Sequence, residues 1–181
     1  MSLSALILFN YELNQPVDPA WYDELFYRLS SYPIKPTTII SLRAFVRCSK
    51  DNCGVPEESL ERMLTLAMNN ETTRLSNSRL AEIEALYGTF AINTQQDILK
   101  GHRLYTQALA HSPRDTQYWQ NLIQLLVAAG DTDEAQDKLE LFKSANTHAG
   151  NEIIYQMLQD SIDDKRIQQG TTTSLEHQAD N

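Results

Sequence analysis

The sequence predicts an all-α fold of antiparallel helical hairpins, and three observations carry that expectation. Apolar residues recur at helical spacing in segments of about 12 to 18 residues along nearly the whole chain. Pro, Gly or short polar clusters separate these segments and stop the helices. No run of four or more alternating residues with β-branched enrichment interrupts them, so no sheet is expected.

Asp18-Pro19 opens the first clear helix, an N-cap followed by Pro in the first turn, with Trp21, Leu25, Phe26 and Leu29 as its apolar stripe. Tyr32-Pro33 ends it, because a residue before Pro is pushed out of the helical region. A second helix is predicted from Thr37 to Cys48, carrying Ile40, Leu42, Phe45 and Val46, and the loop Ser49 to Gly54 breaks it. Pro56-Glu57-Glu58 starts a third, its acids in the first turn where the helix dipole favours them. Leu60, Met63, Leu64 and Ala67 form its buried stripe. Ser76 caps a fourth helix that runs to about Asn93. Further helices are predicted over 97–111, 115–129, 132–146 and 151–166. In the last, Ile153, Ile154, Met157, Leu158 and Ile162 share one side, with Asp160, Asp163, Asp164 and Lys165 elsewhere. From Gly170 onward there is almost nothing to bury, so 170–181 is predicted to be a disordered tail.

The chain has 181 residues, 41% of them hydrophobic, enough for a substantial core. With a net charge of −9 nothing favours a phosphate-backbone or anionic-lipid partner, and Arg43, Arg47 and Lys50 are too small a basic group to act as a nucleic-acid footprint against it. The early apolar run Ala5 to Phe9 is far shorter than the about 20 residues of a membrane span. Between Met1 and Pro16 there is no Lys or Arg, so no secretory signal is expected and the chain is expected in the cytoplasm. Cys48 and Cys53 match no zinc spacing; they could close a disulfide in an oxidising compartment, and would remain thiols in cytoplasm.

No catalytic constellation is visible. There is no His-Glu-x-x-His, no Gly-x-Ser-x-Gly and no Gly-rich phosphate loop followed by Lys. His102 reads as part of a solvated face, His111 and His148 lie near helix C-termini, and His177 is in the tail. The acidic trio Glu57, Glu58 and Glu61 reads as dipole compensation rather than an acid–base pair. No enzyme, cofactor or metal is expected.

Setting 82–115 against 116–149 gives a register of 34 residues. Gly101 falls on Ala135, small residues that let the second helix of a hairpin press against the first. The second window carries Trp119 and Leu122 and the first Tyr105 and Ala108; Trp119 fills the wedge between helices, Tyr105 and Leu139 seal it, and Pro113 stops the second helix before the next begins. With these residues the chain resembles the tetratricopeptide repeat family. The resemblance covers two units over 82–149, neither with the full set, since Ala85 stands where Trp119 does and Thr147 where Pro113 does. It implies a short right-handed superhelix, with 1–81 a helical part holding a degenerate unit around Leu64 and Ala67, and 150–169 a capping helix.

A wider pattern runs from Leu42-Arg43 through Cys48 and Cys53, Tyr87-Gly88-x-Phe90-Ala91-x-Asn93 and Pro113-x-Asp115 to Tyr118 and Asn121-Leu122. It looks like the C-terminal tetratricopeptide region of bacterial multi-spanning proteins related to O-antigen ligases and protein glycosyltransferases. That likeness implies an alternative: an extracytoplasmic, periplasmic accessory domain associated with a membrane glycan-assembly protein, without its catalytic part. In a repeat of this kind, first helices line a concave groove. Here they would offer Ile83, Leu86, Tyr87 and Phe90 from one unit and Gln117, Gln120, Asn121 and Gln124 from the next. Such a groove predicts a scaffold that binds a protein or peptide, with amides for an extended backbone and aromatics for apolar pockets.

Overall fold

A computed structural model describes residues 2–12, 17–50, 54, 56–69, 75–146 and 149–179. Those residues are all-α, packed as helical hairpins, with no strand among them. The helices are α1 Leu3–Glu12, α2 Pro19–Ser31, α3 Pro36–Ser49, α4 Glu57–Met68, α5 Asn77–Asn93, α6 Ile98–His111, α7 Thr116–Ala129, α8 Thr132–Ala145 and α9 Glu152–Ala179. A short 3-10 turn, Ala149–Asn151, leads into α9. Two compact units divide the chain, Met1–Ser112 and Pro113–Asn181.

Local signals set most helix ends. Asp18 accepts from the backbone N–H of Ala20, and Ser76, Asp97 and Asp131 each accept from the N–H three residues on. Gly130 ends α7 in the left-handed conformation at φ 87°, where its N–H meets the carbonyls of Leu126 and Val127. The helix over 3–12 arises from the early apolar run: Ile7 is fully buried and Ser4 Oγ lies 3.1 Å from Ser41 Oγ, tying α1 to α3.

In the first unit α3 packs on α1, α2, α4 and α5, and α5 packs on α3, α4 and α6. Leu25, Phe45, Leu60, Leu64, Ile83 and Phe90 are fully buried in one continuous core. Tyr22 closes its edge, donating to the carbonyl of Gly54 at 2.8 Å, and burial pushes its phenol up to about 12. The crossing of α5 and α6 is made by two glycines. A Cβ on Gly101 would run into Ile92 Cγ1, 2.7 Å from Ile92 Cδ1, and stand 3.5 Å from the carbonyl oxygen of Gly88. A Cβ on Gly88 would meet only ordinary contacts, the Tyr105 ring at 3.4 Å and the Gly101 carbonyl at 3.5 Å.

In the second unit α7, α8 and α9 pack against one another. Trp119 stacks on Phe142 with centroids 5.9 Å apart, and Phe142 meets Tyr155 edge-on at 4.9 Å. Ala135, Leu139 and Ile162 complete this core, each fully buried.

Two expectations need correction here. The final helix does not stop at residue 166 but runs to Ala179. Arg166 pairs with Asp133 at 2.9 Å and Gln169 donates to the Gly130 carbonyl at 2.9 Å, so the helix is held over 130–133 well past its apolar part. The apolar side chains of α9 also do not share one side: Leu158 and Ile162 are buried, whereas Ile153 and Met157 are exposed.

The two glycines are expected to respond in opposite directions. Gly101→Ala should destabilise by about 1–2 kcal/mol, because displacing Ile92 outweighs the gain in helix propensity. Gly88→Ala should stabilise by about 0.5–1 kcal/mol, having the propensity gain without the clash. Urea denaturation of both variants checks the pair, and a destabilised Gly88→Ala would mean the crossing tolerates no added carbon at all.

Candidate functional site

The candidate site residues lie on α5 and α7, and the two helices treat them differently. On α7, Asp115 accepts from the N–H groups of Gln117 and Tyr118 at 3.0 and 3.2 Å and so fixes the first turn. Trp119 Nε1–H donates to the Pro113 carbonyl at 2.9 Å, which locks the rotation of the helix about its axis. With Trp119, Leu122, Ile123 and Leu126 buried, residues 117, 121 and 124 come round to the other side. Gln117 and Gln124 are exposed there, and Gln120 and Asn121 are half-buried. Gln117 Nε2–H donates to Asn121 Oδ1 at 2.9 Å, aligning neighbouring amides along the helix. A side-chain amide carries both a donor and an acceptor, the pairing an extended peptide backbone needs.

On α5 the expected apolar pockets are not open. Ile83 and Phe90 are fully buried and Tyr87 is 8% exposed. The reason is that α5 is packed by α3 and α4 as well as by α6, so an apolar stripe on its outer side becomes core instead of groove. Leu86 alone of that set is half-buried. Of the residues assigned to helix packing, Gly101, Tyr105, Ala108, Trp119, Leu122 and Ala135 are buried, while Pro113 is exposed in the turn before α7. Cys48 is fully buried at the end of α3 and disulfide-bonded, and Cys53 lies outside the described residues.

Tyr87 instead belongs to a polar cluster that sequence reading did not find. Its hydroxyl donates to Glu61 Oε1 at 2.9 Å. Lys100 Nζ pairs with Glu61, donates to Gln95 Oε1 at 3.0 Å, and sits 4.5 Å above the Tyr87 ring. Gln95 Nε2–H closes the ring of contacts to Glu61 Oε2 at 3.0 Å. The hydrogen bonds from Lys100 first, then Tyr87, hold the Glu61 carboxyl below its ordinary range against partial burial. Burial alone would push the Lys100 ammonium down, but hydrogen bonds to Glu61 and Tyr87 outweigh it and raise it. Gln96, next to Gln95 in the α5–α6 turn, takes the left-handed backbone at φ 54°. The cluster is internally satisfied, and it fastens α4 to the α5–α6 turn.

A second unforeseen pair is Glu84 and His111. Glu84 is 4% exposed on α5, and its Oε2 lies 2.9 Å from His111 Nδ1 at the end of α6. Burial raises the Glu84 carboxyl above its ordinary range, opposed by the hydrogen bond and charge of His111. Among the described residues no group of three or more His, Cys, Asp or Glu is placed to hold a metal ion, and no helix is long and apolar enough to cross a membrane.

No protein-family model, curated protein or solved structure matches this chain.

The Glu84 site makes stability depend on pH. The folded state holds its proton more tightly than the unfolded chain does. Its contribution is therefore fully present below the ordinary carboxylate range and lost as pH rises through the raised value. Glu84→Gln, which stays neutral, should gain stability relative to the parent as pH rises from 4 towards 8, reaching a plateau above the raised value. Denaturation midpoints across that pH range measure the difference, and a gap that does not change with pH would show that the carboxyl is not desolvated.

Proposed function

We propose that the chain is a non-catalytic, tetratricopeptide-type module that binds a protein or peptide through the amide row of α7. The observation that carries this reading is the separation of duties on that helix. Trp119, Leu122, Ile123 and Leu126 fill the core, and Gln117, Gln120, Asn121 and Gln124 are left on a capped, rotationally fixed surface. A row of uncharged amides suits an extended backbone better than a charged ligand, because it donates and accepts without a net desolvation cost for ions. Fixed helix ends also lower the ordering cost of docking.

A second reading, favoured by the disulfide at Cys48, places the domain in an oxidising compartment outside the cytoplasm, where such bonds persist. It supports the extracytoplasmic accessory role that the wider resemblance implies.

Replacing Gln120 and Gln124 with Glu should cut recovery of co-purifying partners by about tenfold while circular dichroism and thermal midpoint stay unchanged, since charges would repel peptide carbonyls. Unchanged recovery from an intact fold would remove the α7 row as the docking surface. For the second reading, thiol titration of the unfolded, non-reduced protein from an oxidising compartment should find no free thiol, and finding two would refute it.

A further inference from the structure

We propose that the outward face of α9 is a second docking surface, for a basic amphipathic helix of a partner protein. The proposal goes beyond the α7 reading and does not depend on it.

Tyr155, Leu158 and Ile162 of α9 are buried against α7 and α8. On the opposite face, residues 153, 157, 160, 164 and 167 follow one another at spacings of four, three, four and three, a single stripe along the helix. Its ends are apolar and open to water, with Ile153 83%, Met157 47% and Ile167 67% exposed. Three large apolar side chains on one helix face, set opposite a complete core, are more than packing of this unit requires. A depression of about 550 Å³ runs along the stripe, lined by Ile153, Gln156, Met157, Asp160, Ser161 and Asp164.

Charge selects the occupant. Asp160 and Asp164 sit between the apolar ends, and among the described residues neither has a cationic partner; Asp160 accepts only from the Gln156 amide of its own helix, at 2.7 Å. Asp163, one position from Asp164, is by contrast engaged by Gln159 and Arg166 on the flank of α9. A second copy of this chain docking antiparallel on the stripe would bring carboxylates against carboxylates, which disfavours self-association. A helix with Leu or Ile at i and i+3 or i+4, and Lys or Arg beside them, covers the apolar ends and neutralises both acids. The surface is held steady for such a partner. Gln136 and Gln159 exchange two amide hydrogen bonds at 3.1 and 2.9 Å, and Arg166 pairs with Asp133, so α9 cannot roll on α8.

The test uses the full chain and a fluorescent helical peptide about 18 residues long, five turns, built of Leu and Lys in heptads, with a twin in which Glu replaces every Lys. Anisotropy should show the Lys peptide binding at least about tenfold more tightly than its twin, with affinity falling as salt rises. Ile153→Glu with Met157→Glu should abolish binding. Asp160→Asn with Asp164→Asn should weaken it about tenfold and flatten the salt dependence. Glu57→Gln with Glu58→Gln, exposed acids on α4, should leave it unchanged, as should Gln120→Glu with Gln124→Glu, which separates this surface from the α7 row. Equal binding of the two peptides overturns the proposal, and so does a loss seen equally with the α4 pair. Light scattering that shows a dimer dispersed by Ile153→Glu would assign the face to self-association and overturn it as well.

Discussion

How closely two helical backbones can approach is the constraint on which the first unit rests. At the crossing of α5 and α6 both facing residues, Gly88 and Gly101, lack a side chain, and Ile92 fills the space that a Cβ on Gly101 would take. Close approach there has consequences along the whole hairpin. Tyr105 reaches across to place its hydroxyl 2.8 Å from Thr89 Oγ1, and His111 reaches Glu84 at the far end. The other faces of α5 are then free to receive α3 and α4, which is how Ile83 and Phe90 come to lie in the same core as Phe45 and Leu64. The Glu61–Lys100 pair spans that assembly, fixing the turn after α5 to α4.

The α7–α8 hairpin meets the same problem with the opposite materials. In the 34-residue register Gly88 corresponds to Leu122 and Gly101 to Ala135, so the second crossing carries side chains where the first has none. Ala85 and Ala108 of the first hairpin correspond to Trp119 and Phe142 of the second, and these two stack with centroids 5.9 Å apart. A wider wedge is filled by large rings, and a narrow one by small residues. At all four positions the second hairpin carries the larger side chain, while the helix caps Asp97 and Asp131 are the same residue in both. This is also why a search for identical residues at that spacing finds only half of each pattern.

Much of the fold was legible because its signals are local. Caps at Asp18 and Ser76, the Pro pairs and the small residues Gly101 and Ala135 act within one or two turns of where they stand. The α5 part of the site was not legible, because periodicity reports that Tyr87 and Phe90 share an apolar stripe but not how many helices pack on it. The Glu61 cluster joins residues 39 apart, and nothing in a single sequence couples them at that distance. The error on α9 was one of helical phase. Ile153 and Ile162 are nine residues apart, and at 100° per residue that is two and a half turns, which puts them on opposite faces. Counting apolar residues gave a single stripe, and the angle gives two.

That second stripe changes how the second unit should be understood. A helix that only terminated a stack would need one apolar face, and its outer face would be polar to keep it in solution. Here the inner face is already saturated: Tyr155 packs on Phe142, Phe142 on Trp119, and Leu158 and Ile162 close the remaining gap. The exposed Ile153, Met157 and Ile167 therefore add nothing to that core, and each costs solvation as long as it stays uncovered. On α7, Trp119 and Leu122 are buried, whereas Gln117 and Gln124 are exposed and Gln120 and Asn121 half-buried. A small aromatic core that is complete in itself thus leaves two helix faces unspent, one neutral and hydrogen-bonding, one apolar and acidic. The two docking roles proposed above assign these faces to different ligands, and the packed core beneath them holds each face in a fixed register.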